Sequence, residues 1–270
     1  MGHYINDEQW AEFEEKGYVK IGTVADDSVI NGLQQRIDDI MLGRAAVDYD
    51  RLTMQEDGPP DDHNNTKPHT PGHKGTHLNY RKIQNLERDP RYLQYMQLPV
   101  FAEACAHVYG PDTPITVFRA MFFNKPAKRG MFLNWHQDAW NFLDRAPLLT
   151  AWTALDAATV ANGCVKVIEG SHKTGRINPE SRSGFLNNEE VAQYCCDDNV
   201  VYLTLGAGEV ALLHNWLLHS SDCNSTDTPR RAFSFCCMDA TTKRIDGVKA
   251  TYPQIFGPDA LNVDQLRAAG

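Results

Sequence analysis

The chain has 270 residues, 42% of them hydrophobic and 23% charged, and a formal net charge of −9. That length and composition suit a single globular domain, an all-β barrel with helical decoration, better than two domains. The acidic balance leaves no basic stripe for neutralising phosphates, which argues against a nucleic-acid partner while leaving room for a few local cations around a small anionic substrate.

Residues 1–6 show no basic start followed by an apolar run, so no secretory signal is expected there. Asn6 followed by Gln9 has the pattern of a helix start, and Gly17 that of its end, with Trp10, Ala11 and Phe13 forming the apolar stripe between them. Tyr18 to Ile21 predicts a short strand. Ser28 to Met41 predicts a second helix with Ile30, Leu33, Ile37, Ile40 and Met41 on one face. Residues 44–80 then turn rich in Asp, Asn, Pro, Gly and His, which predicts a long loop of the kind that is either functional or disordered. Its histidines (His63, His69, His73 and His77) fit no zinc spacing and read as solvated loop residues, with substrate contact by a folding lid as the alternative. A third helix is predicted from Leu98 to Tyr109, stopped by Gly110-Pro111.

From Ile115 the texture becomes β. Val117–Phe123, Leu148–Leu155, Val165–Ile168, Val200–Leu205, Glu209–His214 and Ala232–Met238 are short apolar runs separated by turn signals. Asn162-Gly163 and Gly206 to Gly208 predict hairpin turns. Helices first and strands later, without βαβ alternation, predict a mainly β protein with flanking helices, built as a jelly roll or decorated barrel. The expected organisation is one domain: a mostly helical part over residues 1–114, a barrel core over 115–240 and a tail over 241–270. No apolar stretch approaches the ~20 residues that cross a bilayer. The seven cysteines include the adjacent pairs Cys195–Cys196 and Cys236–Cys237 and no small-scaffold spacing, which favours reduced thiols in a reducing compartment, and hence the cytoplasm.

One segment carries chemistry. In Trp135-His136-Gln137-Asp138 a histidine and a carboxylate stand two residues apart. On a strand such positions share a face, ~7 Å apart, so both side chains can converge on one cation. Two imidazoles and a carboxylate on one face of an octahedron leave three positions open, the ligand set of non-haem iron(II) oxygenases. His-x-Asp alone is a weak signal. The second imidazole is expected from His219, at the end of an apolar run where a strand opens into a polar loop, whereas His214 reads as a hydrogen-bonded structural residue. Arg230 follows His219 by eleven residues, enough to return an antiparallel strand beside the metal-bearing one and present a guanidinium fork to a carboxylate. Arg231 is expected on the opposite, solvated face.

From about Lys82 to Asp239 the chain resembles the phytanoyl-CoA dioxygenase family of iron(II)/2-oxoglutarate oxygenases. The matching stretches are Lys82-Ile83-Gln84, Leu98-Pro99, Asn124-Lys125-Pro126, Trp135 to Asp138, Trp152 to Leu155, Asn162-Gly163-Cys164, Gly170 to Lys173, and His219-Ser220-Ser221 with Asn224 and Arg230. Their order and spacing, more than any one of them, carry the likeness. The resemblance implies a double-stranded β-helix, the cupin-like jelly roll. It also implies that His136, Asp138 and His219 hold Fe(II), and that Arg230 grips the distal carboxylate of 2-oxoglutarate with help from the Ser221 hydroxyl. Lys82 and Trp152 are implied to line the co-substrate pocket, Trp152 equally well as a barrel-core aromatic. Gly170, Ser171 and His172 match a structural turn.

Two departures matter. Glu169 stands where the family has proline, and the acyl-CoA substrate of the founding members is not carried over. What the resemblance implies chemically is consumption of 2-oxoglutarate and O2, release of succinate and carbon dioxide, and oxidation of an unactivated C–H bond. The carboxylate of Asp138 speaks against the halogenase variant, which needs a small residue there. Gln137 or Asn215 is expected to fix the imidazole tautomers. The substrate pocket is expected from residues 44–80, Ala139 to Arg145, Thr174 to Glu190 and the tail, with Arg129, Lys128, Arg176, Arg182 and the loop histidines as candidate cations for a small anionic or zwitterionic metabolite. A zinc hydrolase or lyase on the same barrel, or a non-catalytic small-molecule binder, are the alternatives.

Overall fold

The computed structural model describes residues 3–58, 67–180 and 184–268. Helix α1 (Asp7–Lys16) starts at a capping box in which the Gln9 amide donates to Asn6 Oδ1 at 2.8 Å and the Asn6 amide to Gln9 Oε1 at 3.0 Å. It ends at Gly17, whose φ of 82° is a left-handed conformation that glycine adopts without strain. A side chain at Gly17 would also strike His172. Strand β1 (Tyr18–Thr23) and helix α2 (Asp27–Met41) follow. Helix α2 buries Ile30, Leu33, Ile37, Ile40 and Met41, each contributing roughly 1.5–3 kcal/mol.

The segment 44–80 is not one long loop. Strands β2 (Thr53–Glu56), β3 (Thr70–Pro71) and β4 (Tyr80–Gln84) pair with one another and extend the main sheet. Among its described residues the buried large apolar side chains are Leu52, Met54 and Tyr80, too few to show a strand period among so many polar residues. Two of the loop histidines are structural and not freely solvated: His73 Nε2 lies 2.9 Å from the Met41 carbonyl, and His77 Nε2 lies 2.8 Å from Glu56. His69 is exposed, and His63 lies outside the described residues.

Helix α3 (Pro90–Met96), capped by the Asp89 carboxylate with proline at its first turn, has no counterpart in the sequence reading. Helix α4 (Pro99–Tyr109) ends at Gly110 as expected. The remaining elements are β5 (Ile115–Lys125), β6 (Leu133–His136), β7 (Leu149–Ala154), β8 (Val165–Ile168), α5 (Asn188–Tyr194), β9 (Val200–Leu203), β10 (Glu209–His214), β11 (His219–Ser221), β12 (Arg230–Asp239), β13 (Gln254–Phe256) and α6 (Val263–Ala268).

Two antiparallel sheets result. The larger runs β1-β10-β7-β12-β5-β4-β2-β3, with β13 added to β5, and the smaller runs β6-β11-β8-β9. From β5 onward the chain passes repeatedly between them, which makes the fold a cupin-like jelly roll. That passage corrects two turns. Asn162-Gly163 and Gly206 to Gly208 do not close hairpins, because β7 and β10 belong to the larger sheet and β8 and β9 to the smaller. Both segments turn tightly, yet each carries the chain across the sandwich.

The first four helices cover the outer face of the larger sheet, where Ile37, Tyr92, Phe101, Phe122 and Phe233 share one buried cluster. A second cluster, with Trp152, Val167, Leu213 and Ala232, fills part of the space between the sheets. Strand β5 shows the division plainly. Ala120 and Phe122 join the helix-side core, while Arg119, Met121, Phe123 and Lys125 line a cavity between the sheets. Among the described residues, no helix is long and apolar enough to cross a membrane.

Candidate active site

The cavity holds about 500 Å³. Three of its lining side chains come together at one point. Strand β11 pairs antiparallel with β6 so that His219 stands opposite His136. Their ring centroids are 4.0 Å apart. Asp138 lies just beyond the end of β6, not on it, so strand alternation does not place it; instead its amide donates to the Asn215 carbonyl at 2.7 Å. Asp138 Oδ2 then sits 4.0 Å from His219 Nε2. One ligand atom from each of the three residues lies within 4.8 Å of the others, a spacing that can hold a metal ion.

The tautomers are set by the backbone. His136 Nδ1 lies 2.8 Å from the Asn134 carbonyl, and His219 Nδ1 lies 2.9 Å from the Leu217 carbonyl. A carbonyl only accepts, so each Nδ1 carries the proton and each Nε2 keeps its lone pair for a cation. This corrects the expectation for Gln137 and Asn215, which act on the scaffold. Gln137 Nε2 donates to the Gly175 and Trp216 carbonyls at 2.8 and 2.7 Å. Asn215 accepts from the Thr150 hydroxyl at 2.7 Å. Burial and the neighbouring His219 push His136 down to about 3, so its ring is neutral and free to ligate.

Arg230 opens β12 and is buried, with its guanidinium 5.5 Å from the Trp152 ring centre. Its Nε has no hydrogen-bond partner. Burial pulls it down to about 10, still charged at neutral pH, so an uncompensated cation faces the cavity. Its strand is not beside the metal-bearing one, however. Strand β12 pairs with β5 and β7 in the larger sheet, whereas β11 belongs to the smaller, so Arg230 reaches the site from across the sandwich. Arg231 is also corrected. It is half-buried and ion-paired at 2.8 Å to both Asp38 and Asp156, tying β12 to helix α2.

Ser221, Lys82 and Trp152 line the same cavity, as does Ser220, whose buried hydroxyl lacks a partner. Lys82 Nζ lies 5.2 Å over the Phe123 ring, and burial, with Arg119 nearby, pushes its ammonium down to about 8. Trp152 belongs to the core between the sheets, lines the cavity and offers its face to Arg230.

The expected substrate cations are elsewhere. Lys128 pairs with Asp227 at 3.3 Å, Arg176 donates to the Pro179 carbonyl at 3.1 Å, and neither they nor Arg129 line the cavity. Arg182 lies outside the described residues. From the loops, Gln55, Ala139, Trp140, Gly184 and Phe185 contribute, while the described part of the tail does not. The cations that do line it, besides Lys82 and Arg230, are Arg81, Arg119 and Lys125. Sequence reasoning missed them, although charged residues at alternate positions of the apolar run 115–125 are a signal that one face of that strand is not core. Lys125 is already committed: its Nζ donates to the Met131 carbonyl at 2.5 Å, and burial and the nearby Arg230 pull it well below the usual lysine range. The ring of Phe185 stacks on His136 at 4.7 Å, capping the metal-side histidine.

A model of the phytanoyl-CoA dioxygenase family matches residues 13–232. The chain belongs to the phytanoyl-CoA dioxygenase family. It is 24% identical to a probable phytanoyl-CoA dioxygenase of Caenorhabditis elegans, over 98% of this chain and 86% of that one. It is 26% identical to the peroxisomal phytanoyl-CoA dioxygenase of Rattus norvegicus, over 96% of this chain and 76% of the other. Among solved structures, EctD from S. alaskensis in its apoform superposes with a TM-score of 0.70 at 19% identity, covering 93% of this chain and 83% of that one. The carbocyclase SnoK of nogalamycin biosynthesis, described as non-heme and alpha-ketoglutarate dependent, superposes with a TM-score of 0.64 at 18% identity, covering 91% and 88%. Both share the jelly roll of this family member.

Proposed function

We propose that the whole chain acts as one iron(II)- and 2-oxoglutarate-dependent dioxygenase domain that hydroxylates an unactivated C–H bond of a small anionic or zwitterionic metabolite, releasing succinate and carbon dioxide. The observation that carries this reading is the pairing of two features in one cavity: a His136–Asp138–His219 cluster and the orphaned, buried guanidinium of Arg230. The two Nε2 atoms and one carboxylate fit a ferrous ion, and the unpaired Arg230 fits the far carboxylate of a keto-diacid. With that metal and 2-oxoglutarate bound, O2 supplies the oxidising power.

The residues hold and shape the reaction. His136 and His219 keep their tautomers through the Asn134 and Leu217 carbonyls. Arg230, with the Ser221 hydroxyl and the Lys82 ammonium, orients the co-substrate, and Trp152 walls off water behind it. A zinc hydrolase on these ligands would leave Arg230 without an anion to hold. A reducing setting such as the cytoplasm suits the seven free thiols, and the peroxisomal relative marks the peroxisome as the other compartment to examine.

The test is succinate release from 2-oxoglutarate, with iron(II) and O2, against a panel of small phosphonates, amino acids and acyl thioesters. Turnover with a small polar compound is the expected result. Failure of the enzyme to bind 2-oxoglutarate or to turn over any member would sink the reading.

A further inference from the structure

The cavity has a second cation, Arg119, set along β5 from the Arg230 end. On β5 the cavity-facing row runs from Lys125 to Arg119. Arg230 stands opposite Lys125 in the register, and Cys236 stands opposite Arg119. Six residues of extended strand separate the two backbone positions by ~20 Å, so Arg119 and Arg230 approach the cavity from different ends of the paired strands. Asp138 lies towards the far end, because Trp140, two residues after it, packs against Arg119. Both arginines thus line the cavity that holds the His136–Asp138–His219 cluster.

Arg119 is built for a ligand and not for the scaffold. Its guanidinium lies 5.0 Å from the centre of the Phe118 ring and 4.8 Å from that of Trp140. This brings Phe118 and Arg119 to the same side of the strand although they are sequence neighbours. The cause is a β-bulge: Cys236 pairs with Arg119 and Cys237 with Val117, leaving Phe118 without an opposite residue. Bulges re-aim side chains in this way beside functional sites. The two rings pack against each other at 4.5 Å and hold the guanidinium on one side, where an arginine can offer a fork of hydrogen bonds. Among the described residues no carboxylate pairs with Arg119, in contrast to Arg231 with its two. Among the described residues Asp138 is the one acidic residue lining the cavity, and it belongs to the cluster with His136 and His219.

We infer that Arg119, packed beside the Phe118–Trp140 ring pair, is the specificity-determining anchor for an anionic head group, carboxylate or phosphonate, on the substrate to be oxidised. The inference rests on the oxygenase reading above and names its substrate class: a molecule whose anion docks at Arg119 and whose C–H bond then lies over the metal cluster, on the side away from Arg230.

The experiment is calorimetric titration, under argon, of the iron(II)-loaded and 2-oxoglutarate-saturated protein with propylphosphonate, butanoate and the neutral butanamide. The anions should bind at least tenfold tighter than the amide. Arg119→Gln should bring both anions to the amide's level while 2-oxoglutarate affinity stays within twofold of wild type. Arg119→Lys, which keeps the charge and loses the fork, should recover part of the anion binding and so exclude misfolding as the cause. Anion binding unchanged in Arg119→Gln, anions that merely compete with 2-oxoglutarate, or loss of 2-oxoglutarate affinity in that variant would each overturn the inference. If the wild type fails to bind 2-oxoglutarate, or binds it independently of Arg230, the oxygenase reading falls instead. The anion-against-amide comparison on metal-free protein then still decides the role of Arg119.

Discussion

Among the described residues two facing pairs of imidazoles have ring planes that meet at the same angle, 46°, yet only one of them joins a carboxylate in a cluster that could hold a metal ion. His136 and His219 spend Nδ1 on backbone carbonyls and keep Nε2 beside Asp138. His172 and His214 have centroids 5.0 Å apart beneath helix α1, and no carboxylate completes a cluster with them among the described residues. There His214 Nδ1 accepts the Trp216 amide at 3.1 Å, and His172 Nε2 lies 3.2 Å from the Glu14 carbonyl. Two close imidazoles are therefore not enough. A third donor and lone pairs left free by the second-nitrogen contacts separate a site from a strut. Arg230 and Arg231 repeat the lesson one residue apart: the first has an orphaned nitrogen facing a cavity, the second is held by two carboxylates.

The sharpest way to break this comparison is to remove the carboxylate. Asp138→Ala should lower succinate release on the order of 10³-fold, since several kcal/mol of metal ligation are lost, while the unfolding midpoint stays near wild type. His214→Asn should leave iron content unchanged; equal metal loss in both variants would erase the distinction. Next comes the arginine pair. Arg230→Ala should raise the 2-oxoglutarate needed for half-maximal rate on the order of 10²-fold with iron content intact. Arg231→Ala should leave that requirement alone and cost about 2–3 kcal/mol of stability, read from the denaturant midpoint.

A smaller effect is expected at Gly184, where a Cβ would collide with the Gln137 carbonyl. The Gly184 carbonyl accepts the Gln137 amide at 3.0 Å, and Phe185 beside it covers His136. Gly184→Ala should push this segment off β6 and reduce turnover about tenfold, roughly 1.4 kcal/mol of barrier, with little change in iron binding. The smallest effect is on stability in acid. Burial, with His172 nearby, holds His214 down to about 4 from an ordinary 6.5, so below pH 6.5 the unfolded chain binds a proton that the folded one refuses. Stability should fall as pH drops from 6.5 to 4. The fall should be shallower in His214→Asn, and identical slopes would remove His214 from the account.

Much of this was legible in the sequence where a residue's chemistry admits few roles. The Asn6–Gln9 cap, Gly17, the apolar face of α2 and the bounds of β10 all follow from local rules. The triad residues and Arg230 stood out because such groups seldom line up at those spacings by chance. What stayed hidden depends on distant partners. No local pattern shows that the strand of Arg230 joins the larger sheet, that Thr53–Glu56 pairs with Tyr80–Gln84, or that a bulge at Phe118 brings its ring to the side of Arg119. Helix α3 was missed because its Asp89-Pro90 start was not weighed as a cap.

The central claim is that His136, Asp138 and His219 hold a ferrous ion to which a keto-diacid gripped by Arg230 can chelate. Anaerobic addition of iron(II) and then 2-oxoglutarate to the metal-free protein, followed by visible absorption, tests it most directly. The account predicts a weak blue-green band that needs both additions and is absent in Asp138→Ala. No band, together with stoichiometric zinc in the purified protein, would contradict it.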